Sequence, residues 1–227
     1  MDFDLPADLT AYLGELDAFI EREIAPLQAQ DDNQRFFDHR REWARTDFDN
    51  QGLPRPEWEA LMAEARRRAD RAGHLRFGLP REYGGRDGSH LWMAVIREHL
   101  AARGLGLHND LQTEHSIVAN HPLVLAIRDF GTPAQRDEFI PGLLDESKRM
   151  AFGLTEPTHG SDATHMETRA VRETRDGRAG WQIDGEKMWT TGMHTATHCV
   201  VFARTSGQAG DGPRHQRVPG TGHGRRA

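Results

Sequence analysis

The chain has 227 residues, a formal net charge of −6 and 28% charged residues. That acidic balance argues against nucleic-acid binding as its main business, and no apolar run reaches the ~20 residues of a membrane-spanning helix. The opening MDFDLPADLTAYL lacks the basic and apolar regions of a secretory signal, and the single Cys199 rules out an internal disulfide framework, so a cytoplasmic protein is expected.

From Pro6 the apolar positions Leu9, Leu13, Leu16, Phe19, Ile20 and Ile24 recur at helical spacing, and Pro26 is expected to stop that run. Residues 28–52 are polar around Phe36, Phe37, Trp43 and Phe48 and predict a short helix or an ordered loop. Pro54 and Pro56 open a second helix through Arg71, with Trp58, Leu61, Met62 and Ala65 on one face and Gly73 as its stop. The basic run Arg66-Arg67-Arg68 with Arg71 lies among acids and reads as a solvated helix face. A turn-rich connector, Leu79 to Gly85, leads to a third helix over Ser89–Arg103, and a fourth spans Ser116–Phe130. Gly131-Thr132-Pro133 then makes a clean break, with Thr132 as N-cap and Pro133 as first helical residue. A fifth helix runs to Glu146, bent or interrupted at Pro141.

The period changes near Met150. Ala151–Thr155, Glu167–Glu173, Gly180–Asp184 and Cys199–Thr205 read as strands, with a turn over Asp176–Gly180. Helices followed by strands predict an α+β protein, with an all-α domain over 1–149 and an incomplete antiparallel β domain over 150–205. Residues 206–227 are rich in Gly, Pro, Arg and His, with Val218 the only large aliphatic residue. Such a segment buries too little apolar surface to offset its chain entropy, so it is expected to be a disordered tail.

Two stretches carry chemistry. Thr155-Glu156-Pro157-Thr158-His159-Gly160-Ser161-Asp162 ends a strand, because Pro157 cannot continue it, and opens a small-residue turn with backbone donors. A Thr hydroxyl there can donate to a planar heterocycle or to phosphate oxygens. In Gly185-Glu186-Lys187-Met188-Trp189-Thr190-Thr191 an indole can stack on a flat ring, with a Thr donating to the ring's polar edge. Taken singly, Trp189 reads as a core aromatic, Ser161 as a turn residue and His159 as a loop residue. His194, His198 and Cys199 have metal-like spacing, but in an extended segment positions four apart are distant and no second Cys cluster supports them, so no metal is expected. Gly104-x-Gly106 follows a helix and lacks a third Gly, so it is not a dinucleotide fingerprint.

The two stretches resemble the flavin-contacting motifs of the acyl-CoA dehydrogenase superfamily, in which Thr-Glu-Pro-x-x-Gly-Ser-Asp precedes Gly-x-Lys-x-Trp-x-Thr. Pro80-Arg81-Glu82-Tyr83-Gly84-Gly85 likewise resembles the Pro-x-x-Tyr-Gly-Gly run of that family's helical domain. The resemblance reaches from the N-terminus to about Ser206 and implies a barrel-like β domain and FAD as cofactor. On the same resemblance, Phe152, Leu154 and Thr155 line the isoalloxazine, Trp189 packs against it and Thr190 or Thr191 adds polar contacts. Ser161 sits near the pantetheine arm of the substrate or the flavin phosphates. Glu156 is not the family's proton acceptor.

The implied reaction is α,β-dehydrogenation of an acyl-CoA thioester, as in fatty acid metabolism. A glutamate takes the α-proton and a hydride passes from the β-carbon to the flavin. Electrons then leave to a flavoprotein partner, and the family's usual homo-oligomer is weakened in so short a chain. The family continues past Ser206 with further strands and a helical bundle that carries the base. The expectation is therefore a truncated, catalytically impaired chain with an aberrant tail and no catalytic residue of its own. The alternatives are a flavin oxidase or monooxygenase of the same fold, or a non-catalytic fragment that binds flavin weakly or not at all.

Overall fold

The computed structural model describes residues 4–38, 40–109 and 117–211. The chain divides into two compact units, Met1–Asp129 and Phe130–Ala227.

In the first unit, α1 (Ala7–Phe19) buries Leu9, Tyr12, Leu13, Leu16 and Phe19. Contrary to expectation, the helical run does not stop at Pro26. The Ala25 N–H reaches back to Ile20 O, opening a π-turn over Ile20–Ile24, and α2 (Ala25–Ala29) follows. The wider turn makes room for the proline ring, and the missing N–H falls in the first turn of α2, where it needs no intrahelical partner. Beyond α2, 3₁₀ turns at Asn33–Phe37, Glu42–Ala44 and Phe48–Asn50 accompany a minimal antiparallel pair, β1 (Thr46–Asp47) with β2 (Leu53–Pro54). Phe36 and Phe37 pack on Trp58 with ring centroids 5.3 and 5.9 Å away.

The amphipathic α3 (Pro56–Arg71) buries Trp58, Leu61, Met62, Ala65 and Ala69, while Arg67 and Arg68 on its other side donate to Glu64. Ser89 caps α4 (His90–Ala102) by accepting from Trp92 N at 3.2 Å, and Met93, Ile96 and Leu100 turn inward. These faces meet in one apolar cluster running from Leu9 to Ala119. The next helix is shorter than its sequence suggests: α5 is Pro122–Phe130. Ala119 N–H is used by Leu75 O at 3.0 Å instead of a helical carbonyl. Proline is favoured at a first helical position, and the residue before it is biased away from helix, so Pro122 sets the start. The expected start at Ser116 lies outside the described residues.

In the second unit, α6 (Pro133–Leu144) opens with a capping box. Thr132 Oγ1 accepts from Gln135 N at 3.3 Å, and Gln135 Oε1 accepts from Thr132 N at 2.9 Å. Pro141 lies inside the helix, which runs through it without the N–H that would otherwise reach Asp137 O. Four strands follow: β3 (Met150–Gly153), β4 (Arg169–Arg175), β5 (Arg178–Asp184) and β6 (His198–Val201). β4 and β5 form an antiparallel hairpin, closed by Asp176 and Gly177 at φ 53° and 75°, the two left-handed positions of a type I′ turn. β3 and β6 pair in parallel, Met150 with His198 through Gly153 with Val201, a pairing the antiparallel expectation did not contain. Residues 154–197 leave one end of β3 and return to the other, as a parallel crossover requires. Ala170 N donates to Arg204 O at 2.9 Å and Arg204 N to Thr168 O at 2.8 Å, which ties the hairpin to the segment after β6. The architecture is thus a helical region followed by a small, partly formed sheet, with no closed barrel among the described residues. No described helix is long and apolar enough to cross a membrane.

Candidate functional site

The site is built where β3 ends. Alternation along β3 turns Ala151 inward and leaves Phe152 outward at 47% exposure, against the Phe202 ring at 4.6 Å. Gly153 ends the strand beside Cys199 and Lys187: a Cβ there would lie in ordinary van der Waals contact, 3.4 Å from Cys199 Sγ and 3.5 Å from Lys187 Cγ. Beyond it the chain turns sharply: Glu156 N donates to His159 O at 2.9 Å and His159 N to Glu156 O at 3.3 Å, with Pro157 between them. The loop continues into a short 3₁₀ turn at Ala163–His165 capped by Asp162, whose Oδ1 accepts from Thr164 N at 3.0 Å and Thr164 Oγ1 at 2.6 Å. Those bonds hold the Asp162 carboxyl below its ordinary range.

The second stretch lies directly on this turn. Met188 N donates to Thr155 O at 3.0 Å. Lys187 Nζ donates to Leu154 O at 3.0 Å and to Glu156 Oε1 at 2.8 Å. The Glu156 carboxylate also accepts from Thr168 N at 2.9 Å on Oε1 and from Glu167 N at 2.6 Å on Oε2. Glu156 is 4% exposed. Burial opposes its ionisation, but the Lys187 ammonium and the two backbone donors outweigh it and hold the carboxyl at about 2. Gly185 is required by its backbone φ of 148° and by Thr168, whose Oγ1 would stand 2.4 Å from an added Cβ.

Trp189 is the most unusual residue of the site. Its indole is 80% exposed and its φ is +55°, a left-handed conformation that is an outlier for a bulky residue. Strain of this kind clusters at ligand sites. Thr190 is half-buried and accepts from Met193 N at 3.3 Å through its carbonyl. The structure therefore joins Leu154 and Thr155 to the segment carrying Trp189 and Thr190, with Phe152 on the adjoining strand. Ser161 and Thr191 stand exposed on the loops flanking that junction.

Sequence reasoning set Glu156 aside as a proton acceptor and gave Lys187 no role. The geometry gives them one together: both oxygens of Glu156 are engaged in holding the turn. The available signal was a buried-strand-end acid, Glu156, in the first stretch and the single lysine, Lys187, in the second. Phe202, the ring partner of Phe152, carried no signal, because the β3–β6 register is not written locally. Among the described residues no group of His, Cys, Asp and Glu could hold a metal; His198 begins β6 and meets the Phe139 ring edge-on at 5.1 Å.

Comparison with known proteins places the chain in a family. Residues 30–147 match the description "Acyl-CoA dehydrogenase, N-terminal domain" and residues 151–221 match "Acyl-CoA dehydrogenase, middle domain". The chain belongs to the acyl-CoA dehydrogenase family. Acyl-CoA dehydrogenase FadE12 of Mycobacterium tuberculosis is 34% identical over 137 residues, which are 60% of this chain and 33% of that protein. Glutaryl-CoA dehydrogenase of Desulfococcus multivorans is 26% identical over 92% of this chain and 46% of its own length. Among solved structures, the Tcur3481-Tcur3483 steroid ACAD superposes with a TM-score of 0.58 at 26% identity, covering 92% of this chain and 46% of its own. The chain thus covers between a third and a half of the length of these three relatives.

Proposed function

We propose that this chain supplies the flavin-facing part of an FAD-dependent dehydrogenase that acts on acyl-CoA thioesters. The observation that carries the reading is the junction of the two motif segments, Met188 N to Thr155 O at 3.0 Å, beside an exposed, strained Trp189. An exposed indole and the exposed Phe152 ring suit a flat heterocycle, and the Thr155 and Thr190 hydroxyls suit its polar edge, so the residues present fit FAD. When bound, FAD would supply the hydride acceptor for oxidation of the thioester's α,β bond. In this reading Phe152, Leu154, Thr155 and Trp189 orient the ring and shield it from water. Thr190 or Thr191 adds polar contacts, and Ser161 lies toward the pantetheine arm or the flavin phosphates. Glu156 does not serve as the proton acceptor, since its carboxylate is buried and saturated. We assign no proton acceptor within residues 150–205. Electrons would pass to a flavoprotein partner, and the lone Cys199 suits the reducing cytoplasm.

The test is a visible absorbance scan of the purified chain with FAD, then anaerobic addition of a panel of acyl-CoA thioesters. A bound flavin band is the expected result, and bleaching by one thioester would extend the reading to complete dehydrogenase activity. A bound flavin that no thioester bleaches limits this chain to cofactor binding. Absence of any bound flavin overturns the reading.

A further inference from the structure

The second unit contains a buried ion pair that the flavin reading leaves without a task. We propose that Glu156 and Lys187 are positioning residues: a clamp that fixes the 185–190 segment on the 154–156 turn and so sets the orientation of the Trp189 indole. The proposal rests on the flavin reading for its consequence, though its geometry stands apart from it.

Three observations support it. The pair is buried, with Glu156 4% exposed and the Lys187 side chain 11% exposed, in a unit with few other buried side chains to hold it. Its bonds converge from three separate stretches of chain: Leu154 O and Glu156 itself, Glu167 N with Thr168 N, and Lys187 Nζ. Finally, a single residue separates Lys187 from Trp189, and the N–H of that residue, Met188, is bonded to Thr155 O. Trp189 holds a left-handed φ of 55° while 80% exposed, so its own ring has little packing to keep it there. A strained conformation persists only where its surroundings over-determine it, and here the fixed neighbours are Lys187 and Met188. Charge-assisted hydrogen bonds are directional in a way apolar contact is not, which suits a device that sets an angle rather than a volume.

The experiment uses the full chain labelled with 5-fluorotryptophan, with Trp189→Phe to assign its resonance among the 5 tryptophans. Lys187→Met is compared with wild type for the Kd of FAD and for the Trp189 ¹⁹F signal. We expect the Kd to rise at least tenfold and the Trp189 signal to shift or broaden, while Trp43, Trp58 and Trp92 in the first unit keep theirs. The double variant Glu156→Gln with Lys187→Met leaves no unpaired buried charge. It should fold where the single variant fails and still show the altered Trp189 signal. Should the Trp189 signal of the folded single or double variant match wild type, the pair is only a stabiliser and the proposal falls. If wild type does not bind FAD, the flavin reading fails by itself, and the ¹⁹F comparison still decides the clamp.

Discussion

In the first unit Leu16, Ile96 and Leu100 have no exposed surface and belong to an apolar cluster fed by every helix from α1 to α4. In the second unit the buried apolar residues among those described are Ile140, Ala151 and Ala170, and the deeply buried side chains include a carboxylate and a threonine. There Phe152, Trp181, Ile183, Trp189 and Phe202 face outward. Apolar burial is strong but non-directional, so it builds a scaffold without fixing any one angle. The second unit gives up core volume and holds its loops by hydrogen bonds to buried charge, which do fix angles.

The largest effect should follow from breaking that polar network. Lys187→Met strands a buried carboxylate and should cost about 3–5 kcal/mol of the second unit's stability, read as lost amide-exchange protection over 150–205 with the first unit unchanged. The converse is Leu16→Ala, expected to cost about 2–5 kcal/mol and to loosen exchange across α1, α3 and α4 while β3–β6 stay as they were. If either substitution loosens both units equally, the contrast between them is wrong.

Acid should separate them as well. The Glu156 carboxyl is held at about 2, below its ordinary 4.5, so its stabilisation is complete above pH 4.5 and is lost as pH falls through about 2. Peptide-resolved exchange between pH 4.5 and 2 should show β3 and the 185–190 segment opening over that window. Weaker is the loss of the α6 capping box: Thr132→Ala should cost about 1 kcal/mol, seen as fraying of residues 133–136. Smallest is a slope in the first unit. Burial chiefly holds His74 below its ordinary 6.5, with Tyr12 Oη 3.3 Å from its Nδ1. The unfolded chain takes up a proton below pH 6.5 that the folded chain resists, so the first unit should weaken as pH drops below 6.5. His74→Gln should flatten that slope; an unchanged slope would place its origin elsewhere.

What could be read without the structure was what short-range physics writes. The periodicity of Trp58, Leu61, Met62 and Ala65 gave α3, Thr132 with Pro133 marked the start of α6, and the turn expected over Asp176–Gly180 located the hairpin, which closes more tightly, at Asp176-Gly177. The two motif stretches were legible as a pair because each is contiguous. Pro26 misled, because the π-turn that accommodates it depends on Ile20 and Ile24 both being pulled into the core. Pro122 shortened α5, a local signal that the run of apolar residues before it masked.

By itself, then, the sequence determined the helical-then-strand order, the cap of α6, the hairpin turn and the two motif stretches, since each depends on neighbours within one or two turns of chain. The tertiary structure alone decided that β3 pairs in parallel with β6, that Phe202 lies against Phe152, and that Glu156 meets Lys187. Those contacts join residues separated by dozens of positions, and no local propensity encodes which distant partner will satisfy a buried charge or an open strand edge.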